Sequence, residues 1–410
     1  MLVYTFWVIC LLLFGQKSHS SDEQYHFSDK FRLIIVVPAM NEVGVIGQTI
    51  SRSIKSTAEL PMISMAIIDD ASTDGTARAA QQAIAKYNCQ NRVQVLSRRQ
   101  PHAQQGKGSA LNWAYRRLID PAKMSGHDRN HTIVGILDAD AYMSKHGYEQ
   151  VLANFANHPQ VSLLQTRVGM ITIHNWLQLF QDIEFHVIND WIQNTRNRLH
   201  NAAASGNGQF IRVADINSAE PWGNALLEDF EFSTRFLLRG QKTYYASNII
   251  VYQEAIKRIF PFIRQRARWT QGGLDCLFSY WPWILKSTRI SRLAKLEMTF
   301  YMFIPFITLL SGLANLLVLL YVFVNIQDCY PVVISLFLLN CIINNIIVAD
   351  YRQSADLNWL FSLLVIIFLG IYNYLLYPAI IIAFYKKIRG QHGWVKTIHG
   401  REKQRSSSVD

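Results

Sequence analysis

Three long apolar stretches lie close together near the carboxyl end of this 410-residue chain, at about 298–326, 331–349 and 357–385. Each is long enough to cross a bilayer, for which about 20 consecutive apolar residues are needed. One such stretch alone could be a buried helix of a soluble protein, but three in succession predict a membrane region over 298–385. The tail at 386–410 is rich in Lys and Arg, which is typical of the cytoplasmic side.

The number of membrane crossings stays open at this stage. A catalytic domain and a tail that both lie in the cytoplasm need an even number of crossings between them, whereas the chain has three apolar stretches. Either one stretch is re-entrant or interfacial, or the run at 357–385 consists of two short helices broken near Gly370 or Pro378.

A shorter apolar run, at 2–14, stands at the beginning of the chain. Its length fits the core of a signal peptide, but no cationic residue precedes it and no convincing small-residue cleavage site follows it. We therefore expect an uncleaved apolar anchor over residues 1–20.

Composition excludes a disordered chain, and the placement of the charges narrows the choice of partners. Half of the residues are hydrophobic and 17% are charged, which excludes a disordered chain. The net charge of +11 is typical of proteins that bind nucleic acid, anionic lipid or phosphorylated substrates. Because the cations concentrate beside the apolar stretches and in the tail, we expect membrane lipid as a partner and no nucleic acid.

The five cysteines have neither zinc-site nor disulfide-framework spacing.

Between residues 31 and 256, short β-branched runs alternate with amphipathic segments of helical period. The runs RLIIVVPA, MISMAIIDD, RVQVLS and HTIVGILDAD are predicted strands. Their continuous apolar character predicts an α/β domain with a Rossmann-like, mostly parallel sheet that is covered on both faces. In such a sheet the ligand crevice lies at the carboxyl ends of the strands.

Polar turns follow the first two predicted strands. PAMNE occupies residues 38–42 and DDASTDGT occupies 69–76. Taken singly, each is an ordinary turn, in which Thr73 or Asp74 would cap the next helix. Because both turns come at adjacent strand ends, we favour a site for a base and ribose.

The fourth predicted strand ends in Asp138 and Asp140. Two carboxylates at this spacing can share one hard divalent cation, which also takes diphosphate oxygens. Lys107, in QGKGSALN, is either a surface charge or a phosphate contact at a helix start.

Two further motifs precede the apolar stretches. Glu228 and Asp229, in LEDFEF, are either the solvated start of a helix or a site that includes a general base. Residues 257–297 mix cations with aromatic side chains, which predicts interfacial helices. Within them, QRARW offers Arg268 to a diphosphate and Trp269 as a stacking surface for a sugar, or else belongs only to the interfacial helix.

Taken in order along the chain, PAMNE, DDASTDGT, GKGSALN, DAD, SGNGQFIR, LEDFEF and QRARW resemble the motifs of family-2 inverting glycosyltransferases with the GT-A fold. The resemblance is to their membrane-embedded, processive branch, which includes hyaluronan, chitin, cellulose and poly-N-acetylglucosamine synthases. It runs from about residue 36 to residue 273. Leu227 stands where the TED motif of that branch has Thr, and no cyclic-dinucleotide-binding extension is visible, so the likeness to cellulose synthases is the weakest.

The resemblance implies a role for each motif. The nucleotide-sugar would be bound by Pro38, Asn41, Glu42, Asp70, Lys107 and Asp138. Mg²⁺ or Mn²⁺ would be held by Asp138 and Asp140, and Asp229 would be the catalytic base. The acceptor and diphosphate would lie against Glu228, Gln265, Arg268, Trp269 and the loop of Gly206, Asn207 and Gly208.

The implied function is metal-dependent transfer of a sugar from a UDP-sugar to a growing β-linked polysaccharide, with inversion. The protein would be a multi-pass plasma-membrane protein with a cytoplasmic catalytic domain, and accessory subunits are compatible with this function. The alternative within the enzyme class is a lipid glycosyltransferase that adds a single sugar to a diacylglycerol or polyprenyl acceptor. A non-catalytic scaffold or transporter is disfavoured, because such a chain is expected to have lost at least one of the acids.

Overall fold

The computed structural model describes residues 30–119, 124–218, 220–223 and 225–391, together with Gly15. The predicted anchor at 1–20, apart from Gly15, lies outside the described residues, and so does the predicted basic tail beyond residue 391.

One mixed sheet forms the middle of the amino-terminal domain. Its strands are β1 (Arg32–Ala39), β2 (Ile63–Asp70), β3 (Val93–Arg98), β4 (Thr132–Ile136), β5 (Tyr142–Met143), β6 (Val161–Met170), β7 (Gln209–Arg212) and β8 (Lys242–Gln253). They lie in the order β3-β2-β1-β4-β7-β6-β8-β5. The first four strands pair in parallel, as do β6 and β8, whereas β7 and β5 pair antiparallel to their neighbours. The predicted Rossmann-like, mostly parallel GT-A sheet is confirmed.

Helices cover both faces of this sheet. They are α1 (Ile46–Ser56), α2 (Thr76–Lys86), α3 (Lys107–Leu118), α4 (Gly126–His131), α5 (Lys145–Asn157), α6 (Trp176–Ile183), α7 (Asp190–Leu199) and α8 (Glu228–Leu238). A π-helix, Glu184–Asn189, joins α6 to α7, and a 3-10 turn follows β7 at Val213–Asp215. Along β1, Leu33, Ile35 and Val37 enter one buried cluster and Ile34 and Val36 enter the other. This alternation explains why the strand is apolar throughout.

The strand register brings the polar turns to one edge of the sheet. Ala39 at the end of β1 lies opposite Asp69, and Asp70 at the end of β2 lies opposite Arg98. Because parallel strands end on the same side, three successive turns meet there.

Five helices follow the sheet: α9 (Ile259–Lys286), α10 (Arg292–Val324), α11 (Ile326–Arg352), α12 (Trp359–Tyr374) and α13 (Leu376–Ile388). Three segments in the described range are long and apolar enough to cross a membrane, namely Arg292–Val324, Tyr330–Arg352 and Trp359–Ile388. The last divides at Leu375 into α12 and α13, between the two predicted break points. Pro378 falls in the first turn of α13, where its missing N–H costs no intrahelical bond.

A buried ion pair joins the amino-terminal domain to α10. Arg196 on α7 donates from Nε to Glu297 Oε1 at 2.9 Å, and Asn201 Nδ2 donates to Glu297 Oε2 at 2.7 Å. The Arg196 guanidinium also lies 4.0 Å from the centroid of the Tyr301 ring. Both charged side chains are almost inaccessible, at 4% and 6% exposure, so each depends on the other for compensation of its charge.

Replacing Glu297 with Ala is expected to lower the free energy of unfolding by about 3–5 kcal/mol, because the Arg196 charge stays buried without its partner. Denaturant titration of the full chain in detergent micelles, followed by circular dichroism, measures the change. Glu220→Ala is the matched control, since Glu220 pairs with Arg116 at 2.7 Å on the surface and such pairs contribute little. Equal losses in the two variants would contradict the prediction.

Candidate active site

The two polar turns that follow β1 and β2 are bonded to each other. The Asn41 N–H donates to Ser72 Oγ at 3.0 Å, and the Thr73 N–H donates to Asn41 Oδ1 at 2.9 Å. The Glu42 N–H donates to Thr76 Oγ1 at 2.7 Å. Asn41 has φ 55°, in the left-handed region that Asn tolerates better than most residues. The turns therefore form one unit, with Pro38 half-buried at its start on β1.

Asp74 joins the two turns and does not cap the next helix. The N-cap residue of α2 is Gly75, and no side chain caps this helix, so the expected capping by Thr73 or Asp74 is wrong. Asp74 Oδ1 accepts from the Thr76 N–H at 3.0 Å within its own turn, and its Oδ2 accepts from the Val43 N–H at 3.2 Å, across to the first turn.

Asp70 is buried at the end of β2 and is held by Arg98. Asp70 Oδ1 accepts from Arg98 Nη1 at 2.7 Å and from the Gln104 N–H at 3.1 Å. Burial raises the pKa of Asp70, although these two donors act in the opposite direction. Arg98 Nη2 donates to Ser109 Oγ on α3 at 2.9 Å and so links the turns to that helix. Sequence reasoning missed Arg98, although its place at the end of the third parallel strand was a usable signal.

Lys107 lies among acids at the first residue of α3. Its Nζ donates to Asp138 Oδ1 at 2.6 Å and to the Gly206 carbonyl at 2.9 Å, and it lies 3.8 Å from Glu228 Oε1. Its side chain is 17% exposed, so the surface-charge alternative is wrong. Burial alone would lower the pKa of Lys107, but the Asp138 and Glu228 carboxylates outweigh it and the net shift is upward. The amine therefore stays protonated at neutral pH.

Asp138 and Asp140 follow β4 at the carboxyl edge of the sheet. The Asp138 side chain is 37% exposed, and its N–H donates to Asn207 Oδ1 at 3.2 Å. Asp140 is buried and its Oδ2 accepts from the Glu254 N–H at 3.0 Å. Within the described ranges, no third His, Cys, Asp or Glu completes a protein-only metal cluster. Two carboxylates fit a cation of the Mg²⁺ type, which takes its other ligands from phosphate and water.

The loop of Gly206, Asn207 and Gly208 lies against these acids. Both glycines have positive φ, and a Cβ on Gly206 would lie 2.8 Å from Asp229 Oδ2. A Cβ on Gly208 would lie 2.2 Å from Thr166 Oγ1, which no packing allows. Asn207 is buried and donates from Nδ2 to Gln253 Oε1 at 2.9 Å. Gly206 thus lets the loop approach Asp229 closely, Gly208 lets it approach β6, and Asn207 fixes it to β8.

Glu228 and Asp229 begin α8, but both are buried, so the reading as a solvated helix start is wrong. Asp229 Oδ1 accepts from the Phe230 N–H at 2.7 Å. Burial, followed by the adjacent Glu228 carboxylate, raises the pKa of Asp229 to about 7, while Lys107 opposes the shift. A carboxylate poised near neutrality is suited to general base catalysis.

Helix α9 places QRARW beside this acid pair. A Cβ on Gly272 would lie 2.6 Å from the Leu227 nitrogen, so α9 packs directly against the residue that precedes Glu228. Arg268 opposes the upward, burial-driven shift in the pKa of Glu228, and its Nε is buried with no hydrogen-bond partner in the part of the chain that the structure describes. Gln265 and Trp269 are half-buried on the same helix.

Most of the predicted site residues thus fall into three adjoining groups, whereas Asp140 accepts from the Glu254 N–H at 3.0 Å. Direct contacts bring together Lys107, Asp138, Gly206, Glu228 and Asp229. The joined turns with Asp70 form the second group and connect to the first through Arg98 and α3. Gln265, Arg268 and Trp269 form the third group, on α9.

Comparison with known proteins is consistent with this arrangement. The family model described as "Glycosyltransferase like family 2" matches residues 32–272. The beta-monoglucosyldiacylglycerol synthase of Synechocystis sp. is 26% identical over 264 residues, which are 62% of this chain and 50% of that protein. The Nostoc sp. protein of the same name is 26% identical over 289 residues, 70% of this chain and 58% of that protein. The chain thus spans little more than half the length of these relatives.

A solved structure shares the fold. The mannosyltransferase PcManGT from Pyrobaculum calidifontis, in complex with GDP-Man and Mn²⁺, superposes with a TM-score of 0.57 at 15% identity, over 95% of each chain. At that identity the likeness shows the fold alone. The family model, by contrast, covers more than half of the sequence. The protein therefore belongs to glycosyltransferase family 2.

Proposed function

We propose that this protein transfers a sugar, with inversion, from a UDP-sugar to the hydroxyl group of a membrane lipid. The observation that carries the proposal is the meeting of Asp229 with the Lys107–Asp138 pair, beside a helix that leads to the apolar segments. The sequence alone favours a polysaccharide as the acceptor. Two relatives that are named as glucosyldiacylglycerol synthases favour the lipid instead.

The reaction is a single displacement. Asp229 takes the proton of the acceptor hydroxyl while the oxygen attacks the anomeric carbon from the face opposite the leaving UDP. The new glycosidic bond forms as the bond to the diphosphate breaks, so an α-linked donor gives a β-glycoside. Lys107 and Arg268 provide positive charge where the diphosphate becomes more negative.

Asp138 and Asp140 would hold a divalent cation in this proposal. When it is bound, such a cation neutralises negative charge on a leaving diphosphate. Support comes from the donor set of two carboxylates at one sheet edge, and from the Mn²⁺ described for PcManGT.

The contacts at the helix ends support two membrane crossings, by α10 and α11. Near the start of α10, Glu297 binds Arg196, and near the end of α11, Asp350 accepts from Trp191 Nε1 at 2.6 Å. Both partners lie on α7, so the helix pair leaves the catalytic domain and returns to it. Lys387 near the end of α13 pairs with Asp275 on α9, so α13 also ends beside the helix that packs on the sheet domain. Together, α12 and α13 would then form a re-entrant segment on the cytoplasmic side of the plasma membrane.

Polar side chains within the apolar helices also favour a lipid acceptor. Asn344 Nδ2 donates to the Ile366 carbonyl at 2.8 Å and to Asn340 Oδ1 at 2.9 Å. Asn315 Nδ2 donates to the Tyr377 hydroxyl at 3.2 Å. A polysaccharide that crosses a membrane needs polar groups free to line its path, whereas the amide nitrogens of Asn315 and Asn344 each donate to a neighbouring helix.

Membranes that contain the full chain are expected to move label from a UDP-sugar into an organic-extractable, β-glycosidase-sensitive glycolipid when diacylglycerol or a polyprenyl acceptor is supplied. A donor panel that includes UDP-glucose, UDP-N-acetylglucosamine and GDP-mannose identifies the nucleotide and the sugar. Asp229→Asn serves as the inactive control. Label in a long polymer would instead support the polysaccharide function, and no transfer from any donor would overturn both.

The pH profile of kcat/KM is expected to rise with pH through a midpoint near 7, because Asp229 must lose its proton to act as the base. In Glu228→Gln the midpoint should move to lower pH, since the neighbouring carboxylate is one cause of the raised pKa. Initial rates measured between about pH 5 and 9 give both midpoints. An unchanged profile in Glu228→Gln, or appreciable activity in Asp229→Asn, would disprove the assignment of the base.

Removal of divalent cations with EDTA is expected to abolish transfer, and Mg²⁺ or Mn²⁺ to restore it. In Asp140→Asn, the metal concentration that gives half of the maximal rate should rise about tenfold or more, because one of two carboxylate ligands is lost. Glu149→Gln, a change of a half-buried acid on α5 that pairs with Lys145, is the control for a general effect of lost negative charge. Full activity in EDTA would exclude the metal site.

A further inference from the structure

The helix over residues 176–199 changes from α to π geometry at Glu184–Asn189 and then returns to α geometry. π turns are rare and often mark functional sites, since the widened turn displaces side chains from their ordinary positions. Glu184 is the first residue of this turn. Neither the proton transfer nor the binding of the donor uses it.

Glu184 joins three elements through one carboxylate oxygen. Its Oε2 accepts from Arg266 Nη2 on α9 at 2.8 Å and from the Tyr372 hydroxyl on α12. The Arg266 side chain is 9% exposed, so its charge is compensated mainly by this carboxylate.

Arg266 in turn lies over the ring of Trp269. Its guanidinium carbon is 4.5 Å from the centroid of the Trp269 ring, within cation–π distance. Phe185, the next residue of the π turn, meets the same ring edge-on, with centroids 6.2 Å apart and an interplanar angle of 75°. Two side chains, Arg266 and Phe185, thus contact the indole. Phe185 belongs to the π turn, and Arg266 is bound by Glu184 of the same turn.

Helix α9 relates this indole to the catalytic base. Trp269 lies about one turn from Gly272, where α9 packs against Leu227 beside the acid pair. If the Glu184 carboxylate were lost, the Arg266 charge would be buried without compensation and would tend to leave the ring for water. The orientation of the indole would then no longer be fixed.

The geometry points to Glu184 as a positioning residue for the acceptor: it holds Arg266 against Trp269 and so fixes the surface on which the acceptor lies. This inference rests on the proposed transfer to a membrane acceptor and on the prediction from the sequence that Trp269 contacts that acceptor. Glu184 touches neither substrate, so its effect is expected on acceptor binding rather than on the donor.

The test compares Glu184→Gln with Asp182→Asn. Asp182 lies on the same helix and also accepts a hydrogen bond from a tyrosine of an apolar helix, from the Tyr351 hydroxyl at 2.7 Å. Both changes turn an acid into its amide and weaken a contact with an apolar helix, but only Glu184 binds Arg266. A merely structural role predicts similar effects of the two changes.

In nanodiscs that contain the full chain, Glu184→Gln should raise the KM for the acceptor about tenfold. The KM for the UDP-sugar and the slow hydrolysis of donor without acceptor should change by less than about twofold. Asp182→Asn should leave the acceptor KM close to that of the wild type. If Glu184→Gln and Asp182→Asn change the KM for the acceptor and the KM for the UDP-sugar to similar extents, the role of Glu184 is structural and the inference is overturned.

A double-mutant cycle with Trp269→Ala tests whether Glu184 changes the acceptor KM through Trp269. If Glu184 acts through the indole, Glu184→Gln should change the acceptor KM little once Trp269 is absent. If the two substitutions instead raise the acceptor KM by factors that multiply in the double variant, Glu184 does not act through Trp269. Should Glu184→Gln fail to fold, Tyr372→Phe removes a single hydrogen bond to the same carboxylate and is expected to give a smaller shift of the same kind.

The outcomes separate this inference from the proposed function. Wild-type protein that forms no glycolipid disproves the lipid acceptor. If it forms a polymer, Glu184→Gln and Asp182→Asn are compared with an oligosaccharide as the acceptor. A rise in the KM for that acceptor without a rise in the KM for the donor still supports the role of Glu184. If glycolipid forms and Glu184→Gln does not raise the acceptor KM selectively, only the inference about Glu184 fails.

Discussion

The Lys107 ammonium is the contact on which the arrangement of the catalytic site depends. It bonds to Asp138 after β4 and to the Gly206 carbonyl, and it lies near Glu228 on α8. Without a cation at this point, carboxylates from separate elements would repel one another in a buried space. Asp138, Glu228 and Asp229 all interact with this one ammonium group. A divalent cation held by Asp138 and Asp140, as proposed, would add positive charge beside these carboxylates.

One helix connects the catalytic domain to the apolar segments. Along residues 176–199, Asp182 and Trp191 contact α11, Glu184 contacts α12 and Arg196 contacts α10. These contacts are hydrogen bonds and ion pairs in largely buried surroundings, where each polar group depends on its partner. The position of the sheet relative to the apolar helices is therefore specified by side-chain chemistry as well as by packing.

The sequence predicts the elements whose signals are local. Apolar runs that end in polar turns identify β1 to β4, and the carboxyl-edge rule then places Asp70 and Asp138 on one side of the sheet. The sequence alone could not show that Glu228 and Asp229 are buried. Their burial depends on α9, a distant part of the chain, whose Gly272 packs against Leu227. Nor could it show the role of Arg266, whose partner Glu184 lies in a π turn without any recognised sequence signal.

The distribution of side chains along α9 explains why an acceptor at the membrane surface is compatible with this base. Phe260, Phe278 and Trp283 are 78%, 62% and 64% exposed, whereas Gly272 on the same helix packs against the residue before the acid pair. Large exposed aromatic side chains are stabilised at a bilayer interface. Helix α9 thus links a set of exposed aromatic side chains to the position of Asp229. In the proposed reaction, a lipid hydroxyl group at the depth of the bilayer interface would lie close to Asp229 without leaving the membrane, and only the sugar donor would arrive from water.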